Sequence, residues 1–199
     1  MKRLLPLLAA AIALGGCASS NLPLAPSKAA VADYKYLIGP GDLLNIIVWR
    51  NPELSLSVPV RPDGRLTAPL IEDLVAMGRN PSDLAREIEK KLTRYIQDPV
   101  VTVIVSSFVG PTSEQIRIVG SAARPAALPY RQNMTVLDAM IAVGGITEFA
   151  AGNRAVLIRA SEKGRQYTVR LKDLLKGGDV SANVDLRPGD VIIIPEGWF

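Results

Sequence analysis

Cys17 is the only thiol in a chain of 199 residues that contains no histidine. Those two counts settle most of the available chemistry. Without an imidazole, Ser–His and Cys–His catalysis are excluded, and zinc or copper would have to rely on carboxylates. A carboxylate-pair hydrolase needs two Asp or Glu about 5 to 10 Å apart in a cleft, whereas the acidic residues here fall mainly in turns and on the outer face of a helix. The chain is therefore expected to carry no catalytic residues, no metal and no cofactor. What remains is a group of cations. Between residues 154 and 176 basic residues outnumber acidic ones seven to two. Arg154, Arg159, Arg165 and Arg170 lie on or beside two strand-like runs whose alternation would place them on one exposed face, suited to an acidic glycan, a lipid phosphate or an acidic partner. The same residues also describe an ordinary solvated hairpin.

The thiol takes its meaning from its position. Lys2 and Arg3 form a basic start, residues 4–14 are apolar, and Gly15-Gly16 supplies the small residues that precede a signal-peptidase cut. Because about 20 apolar residues are needed to span a bilayer, this leader is too short to be an anchor helix. Ending in Cys17, it resembles a bacterial lipoprotein signal, in which the cysteine is acylated and becomes the new N-terminus; a plain secretory signal with an incidental cysteine is the alternative. Acylation with two or more chains would hold the protein stably on a membrane. Inner-membrane lipoproteins typically carry Asp beside the cysteine, whereas this chain has Ala18 and Ser19, so the resemblance implies the periplasmic face of the outer membrane. Loss of Lys2 and Arg3 leaves 21 basic and 19 acidic residues. That balance gives no phosphate-binding surface, and no nucleic-acid partner is expected.

These residues need elements to hold them. Residues 17–33, rich in Ala, Ser and Pro, read as a flexible tether. An apolar content of 48% supports real cores after it. Residues 43–49 form a strand-like run, and Pro62-Asp63-Gly64 separates residues 56–61 from 65–68 as in a hairpin. Asn80 and Pro81 open a helix carrying Leu84, Ile88, Leu92 and Tyr95 on one face, and it stops before Pro99. Residues 100–109 alternate as a half-buried strand, and Gly110-Pro111 marks a domain boundary. Beyond it lie a strand at 115–119, a helix at 135–143 opened by a Thr135/Asp138 capping box and closed by Gly144-Gly145, a pair of strands at 154–159 and 166–171, and a last strand at 191–194. The expected class is α+β, in two small domains. Pro40-Gly41-Asp42 and Pro188-Gly189-Asp190 each precede a strand; both fit a tight turn closed by the carboxylate, and a paired acidic site, for instance for calcium, is the alternative. Trp49, Tyr130, Tyr167 and Trp198 are candidates for stacking on sugar rings, although Trp49 ends an apolar strand and is expected in the core.

The runs YLIGPGDLLNIIVWRNPELS from Tyr36, VRPDGRLTAPLI from Val60 and DPVVTVIV from Asp98 resemble, in order, the polysaccharide export domain of Wza-like proteins. The runs IVGSAARPAALPYRQNMTVLDAMIAVGGIT from Ile118 and LRPGDVIIIPE from Leu186 resemble the SLBB β-grasp domain that follows it in that family. The resemblance implies a signal at 1–16, a lipidated tether at 17–33, an export domain at 34–112 and an SLBB domain at 113–199. It also implies a periplasmic lipoprotein of the outer membrane, lipidated at Cys17, that assembles as a homo-oligomeric ring. Such a ring passes capsular polysaccharide or exopolysaccharide from an inner-membrane polysaccharide copolymerase, without covalent chemistry. Two departures stand out. Arg124-Pro125-Ala126 replaces a Pro-Gly pair usual after the first SLBB strand, so that turn cannot use glycine. Only Gly197, Trp198 and Phe199 follow Glu196, where longer members continue into an amphipathic pore helix. The resemblance is therefore to the short form found with exosortase-associated clusters, which would need a separate outer-membrane β-barrel. From a different class, the alternative is a monomeric lipoprotein that captures glycan or peptidoglycan with its β-grasp domain.

Overall fold

The computed structural model describes residues 22–29, 31 and 33–197. Its first unit holds strands β1 (Leu43–Val48), β2 (Leu56–Pro59), β3 (Arg65–Ala68), β4 (Ile71–Val75) and β5 (Val101–Ser107), with helix α1 (Pro81–Leu92). β1 is central in an antiparallel β2-β1-β5 sheet, and β3 pairs separately with β4. The hairpin expected across Pro62-Asp63-Gly64 is thus corrected: the turn forms, but its two arms belong to different sheets. Its sequence could not show this, since β1 and β4 each offer the arms a longer ladder than they offer one another. α1 starts where Asn80 accepts the Asp83 N–H at 2.9 Å, with Pro81 at the first position. It buries Leu84, Ala85, Ile88 and Leu92 against β5. Tyr95 lies beyond its end and is exposed.

The second unit holds β6 (Ile116–Gly120), β7 (Ala126–Leu128), α2 (Val136–Val143), β8 (Ala155–Arg159), β9 (Arg165–Val169), α3 (Leu171–Gly177) and β10 (Val191–Ile194). Its sheet runs β7-β6-β10-β8-β9, with β6 and β10 parallel and the other pairs antiparallel. The first and last strands lie side by side at the centre, and α2 follows the first hairpin: this is the β-grasp arrangement. Alternating apolar residues Ile116, Ile118, Leu157, Val169, Ile192 and Ile194 meet Val136 and Met140 of α2 in one core. The capping box forms as expected, with the Asp138 carboxylate accepting the Thr135 N–H at 2.9 Å, and Gly144 closes α2 at φ 78°. Arg124-Pro125-Ala126 turns without any left-handed residue; the positive φ falls on Gly120 instead. Residue 171, expected in a strand, begins α3.

The tether expectation is corrected for residues 22–29. They lie along the free edge of β9, where the Thr168 N–H donates to the Pro23 carbonyl at 2.8 Å and the Ala25 N–H to the Thr168 carbonyl at 3.1 Å. Further along, the Asp185 carboxylate accepts the Ala29 N–H, and Arg187 Nε donates to the Ala29 carbonyl. An edge strand offers unpaired backbone groups, and even a Pro-rich segment with a single charge, Lys28, can satisfy alternate ones. No helix of the described residues is long and apolar enough to cross a membrane.

Candidate functional site

Cys17, Trp198 and Phe199 lie outside the described residues. The four arginines singled out above do not share an exposed face. Arg159 sits on the core side of β8 at 0% exposure, 3.7 Å from the equally buried Asp190, and donates to the Asp185 carbonyl at 3.0 Å. Its placement corrects the exposed-face expectation: on β8 the alternation puts Arg159 in phase with buried Ala155 and Leu157, not with the solvent side. Arg170 is held by Asp173 and Asp179, and Arg154 donates to the Glu196 carbonyl. Arg165 lies over the Tyr167 ring at 5.3 Å, with Arg159 at 5.9 Å. Tyr167 in turn donates to Glu162, which pairs with Arg187. Arg154 and Arg170 thus lie at one end of the β8–β9 pair and Arg159 and Arg165 at the other, and it is Arg187 that reaches the segment lying on the sheet.

The two Pro-Gly-Asp turns are structural twins with different surroundings. Gly41 and Gly189 take φ of 89° and 81°, and both aspartates are fully buried. Asp42 is completely engaged. One oxygen accepts the Gly39 N–H and the Tyr36 hydroxyl, and the other accepts the N–H groups of Val109 and Gly110 at 2.7 and 2.9 Å. It therefore ties the start of β1 to the segment leaving β5. Asp190 accepts the Arg187 N–H through one oxygen, while its other oxygen and two guanidinium nitrogens of Arg159 have no hydrogen-bond partner. Burial pushes the Asp190 carboxyl up to about 6, against the opposing pull of Arg159 and Arg187. Among the described residues no cluster of three acidic side chains is placed to hold a metal ion.

A cleft that sequence reading did not find opens where the two units meet. It has a volume of about 530 Å³ and is walled by Tyr36, Ser106, Ser107 and Phe108 and by Tyr34, Pro129, Tyr130 and Arg131, Tyr34 packing against the core of the second unit. The rings meet edge to face, Tyr36 with Phe108 at 5.3 Å and Tyr34 with Tyr130 at 4.9 Å. Tyr34 donates to Glu114 and Tyr36 to Asp42, at 2.9 and 2.6 Å. Burial and these carboxylates push both phenols up, so they stay protonated donors. Of the sugar-stacking candidates, Tyr130 is mostly buried, Tyr167 is buried in the SLBB core, and Trp49, expected inside, is 65% exposed at the far end of β1.

Residues 30–106 match the polysaccharide biosynthesis/export protein family, and residues 114–194 match the SLBB domain. The chain belongs to the Wza-like polysaccharide export family. Among its relatives are the EPS I polysaccharide export outer membrane protein EpsA of Ralstonia nicotianae (26% identity over 88% of this chain and 51% of the relative) and the exopolysaccharide production protein ExoF of Rhizobium meliloti (30%, 87% and 44%). Another is the capsule polysaccharide export protein BexD of Haemophilus influenzae (26%, 80% and 43%). The chain spans about half the length of the curated relatives it matches. Both family domains therefore meet at the aromatic cleft.

Proposed function

We propose that this protein is a lipid-anchored, ring-forming component of an outer-membrane conduit for capsular polysaccharide or exopolysaccharide. The observation that carries this reading is the collinear export and SLBB pair, placed behind a basic, apolar leader that ends at Cys17. Acylation of Cys17 would attach the protein to the periplasmic face of the outer membrane. Copies would close around a hydrated passage, receiving polymer from an inner-membrane copolymerase and handing it to an outer-membrane β-barrel. The reading assigns the chain no reaction and no cofactor. Polymer is moved by polymerisation and by the inner-membrane machinery, and this chain contributes shape.

Deletion of the gene is expected to abolish secretion of the polymer, and Cys17→Ser to shift the protein from the membrane to the soluble periplasmic fraction while export fails. Crosslinking in the native envelope followed by mass determination should give a large homo-oligomer. A monomer both in the envelope and with its copolymerase would instead support a glycan- or peptidoglycan-binding lipoprotein. That second reading draws on one specific observation, that the aromatic cleft is complete within a single chain.

A further inference from the structure

We propose that the cleft between the export and SLBB domains is a subsite for an acidic sugar residue of the transported polymer; this rests on the export reading. Its volume, about 530 Å³, falls within the range of about 300–1,000 Å³ typical of small-ligand sites. Phe108 and the half-buried rings of Tyr34 and Tyr36 supply apolar surface that suits the C–H faces of a pyranose, with the buried Tyr130 backing Tyr34. They are held before any ligand arrives: each tyrosine pairs with another ring, and the Tyr34 and Tyr36 hydroxyls are already fixed on Glu114 and Asp42. A wall that needs no reordering loses less entropy on binding. Phe108 nevertheless keeps 56% of its surface open, so its ring is available to a guest.

The polar groups narrow the class. Ser106 and Ser107 are exposed and offer hydroxyls at the end of β5. Arg131 is the one cation in the wall, is exposed, and has no ion pair among the described residues. A single guanidinium matches a single carboxylate, as on a uronic acid or a pyruvate ketal, and can grip it with two parallel hydrogen bonds. A nucleotide or another phosphate-rich ligand would ask for more positive charge than this wall holds. Each domain contributes indispensable pieces, Phe108 from one and Arg131 from the other, so the subsite exists only in the two-domain chain.

The test uses the full-length protein in detergent and fragments of about six sugars prepared from the polymer secreted by the producing strain, together with the same fragments after chemical reduction of their carboxyl groups. Binding is read by calorimetry. Phe108→Ala is expected to weaken binding of native fragments about three- to tenfold. Arg131→Gln should weaken it about tenfold and leave the reduced fragments unaffected, while Trp49→Ala, at the far end of β1, should change neither. Because Phe108 and Arg131 are exposed, unchanged unfolding midpoints will show that both variants fold. Wild-type affinity in both variants, or equal affinity for native and reduced fragments, would overturn the proposal. So would the lack of saturable binding in a protein whose deletion stops secretion, an outcome that leaves the export reading standing. Secretion that survives deletion would count against the export reading, whatever the fragments do.

Discussion

Two buried aspartates in twin turns have opposite energetic roles. Asp42 accepts four hydrogen bonds from three backbone N–H groups and one phenol. Asp42→Ala leaves all four donors without this partner, the Gly39 and Gly110 N–H groups in a buried site and the Tyr36 and Val109 donors in a part-buried one, and each orphaned buried group costs about 1–3 kcal/mol. We expect a loss of about 4 kcal/mol or more, read as a drop in the urea midpoint. Asp190 is poorly solvated and only loosely paired, and its carboxyl rises from an ordinary 3.8 to about 6 under desolvation, with Arg159 and Arg187 opposing and Glu162 reinforcing the rise. The folded state therefore holds this proton more tightly than the unfolded chain. The stability that this group contributes is present below about pH 4 and is lost as pH rises to about 6. Denaturant titrations across that window should show Asp190→Asn lacking a downward slope on the order of 2 kcal/mol that the wild type carries. The slope is the readout, because the variant also leaves Arg159 without its counter-charge and lowers stability at every pH.

At the scale of elements, close backbone approaches and an added edge strand hold the arrangement. A Cβ on Gly39 would lie 2.0 Å from the carbonyl carbon of Gly110, so the turn before β1 packs directly on the segment after β5. Gly39→Ala should cost about 3 kcal/mol or more, because backbone rather than a pliable side chain must move. Gly145→Ala meets nothing within 4 Å and bears only the strain of its positive φ, about 1–2 kcal/mol. Unfolding midpoints of the two variants check this order. Residues 22–25 extend the SLBB sheet beyond β9. Ala25→Pro removes a donor from that pairing, and we expect faster hydrogen exchange at the Thr168 amide with a stability loss of about 1 kcal/mol. Unchanged exchange at Thr168 would show that the segment does not protect the edge in solution. β7 escaped sequence reading because Ala-Ala-Leu has little strand propensity of its own and forms by pairing with β6.

Across the whole molecule, two separate apolar cores are joined through polar locks: Asp42 on the connecting segment, and Tyr34 on Glu114. The aromatic cleft is a product of that junction, so its walls come from three separate stretches of the chain, at residues 34–36, 106–108 and 129–131. Local signals needed no such junction to be legible. The caps of α1 and α2, the Pro-Gly-Asp turns, the α+β class and the order of the two family domains could all be read directly, because each depends on neighbours within a few residues or on a pattern repeated along one element. Alternation along β8 and along the strand ending near Trp49 was equally visible, but not which side of each strand would be covered. Burial of Arg159 and exposure of Trp49 turn on that choice, whereas the splitting of β2 and β3 between two sheets and the docking of residues 22–29 turn on which distant strand offers a backbone partner. The sequence by itself determined most of the elements, though not β7 or α3, together with their order and the chemistry excluded by one cysteine and no histidine. Only the tertiary structure decided which cations face solvent and which rings meet, because packing between distant segments, rather than local propensity, sets the partner and the environment of each side chain.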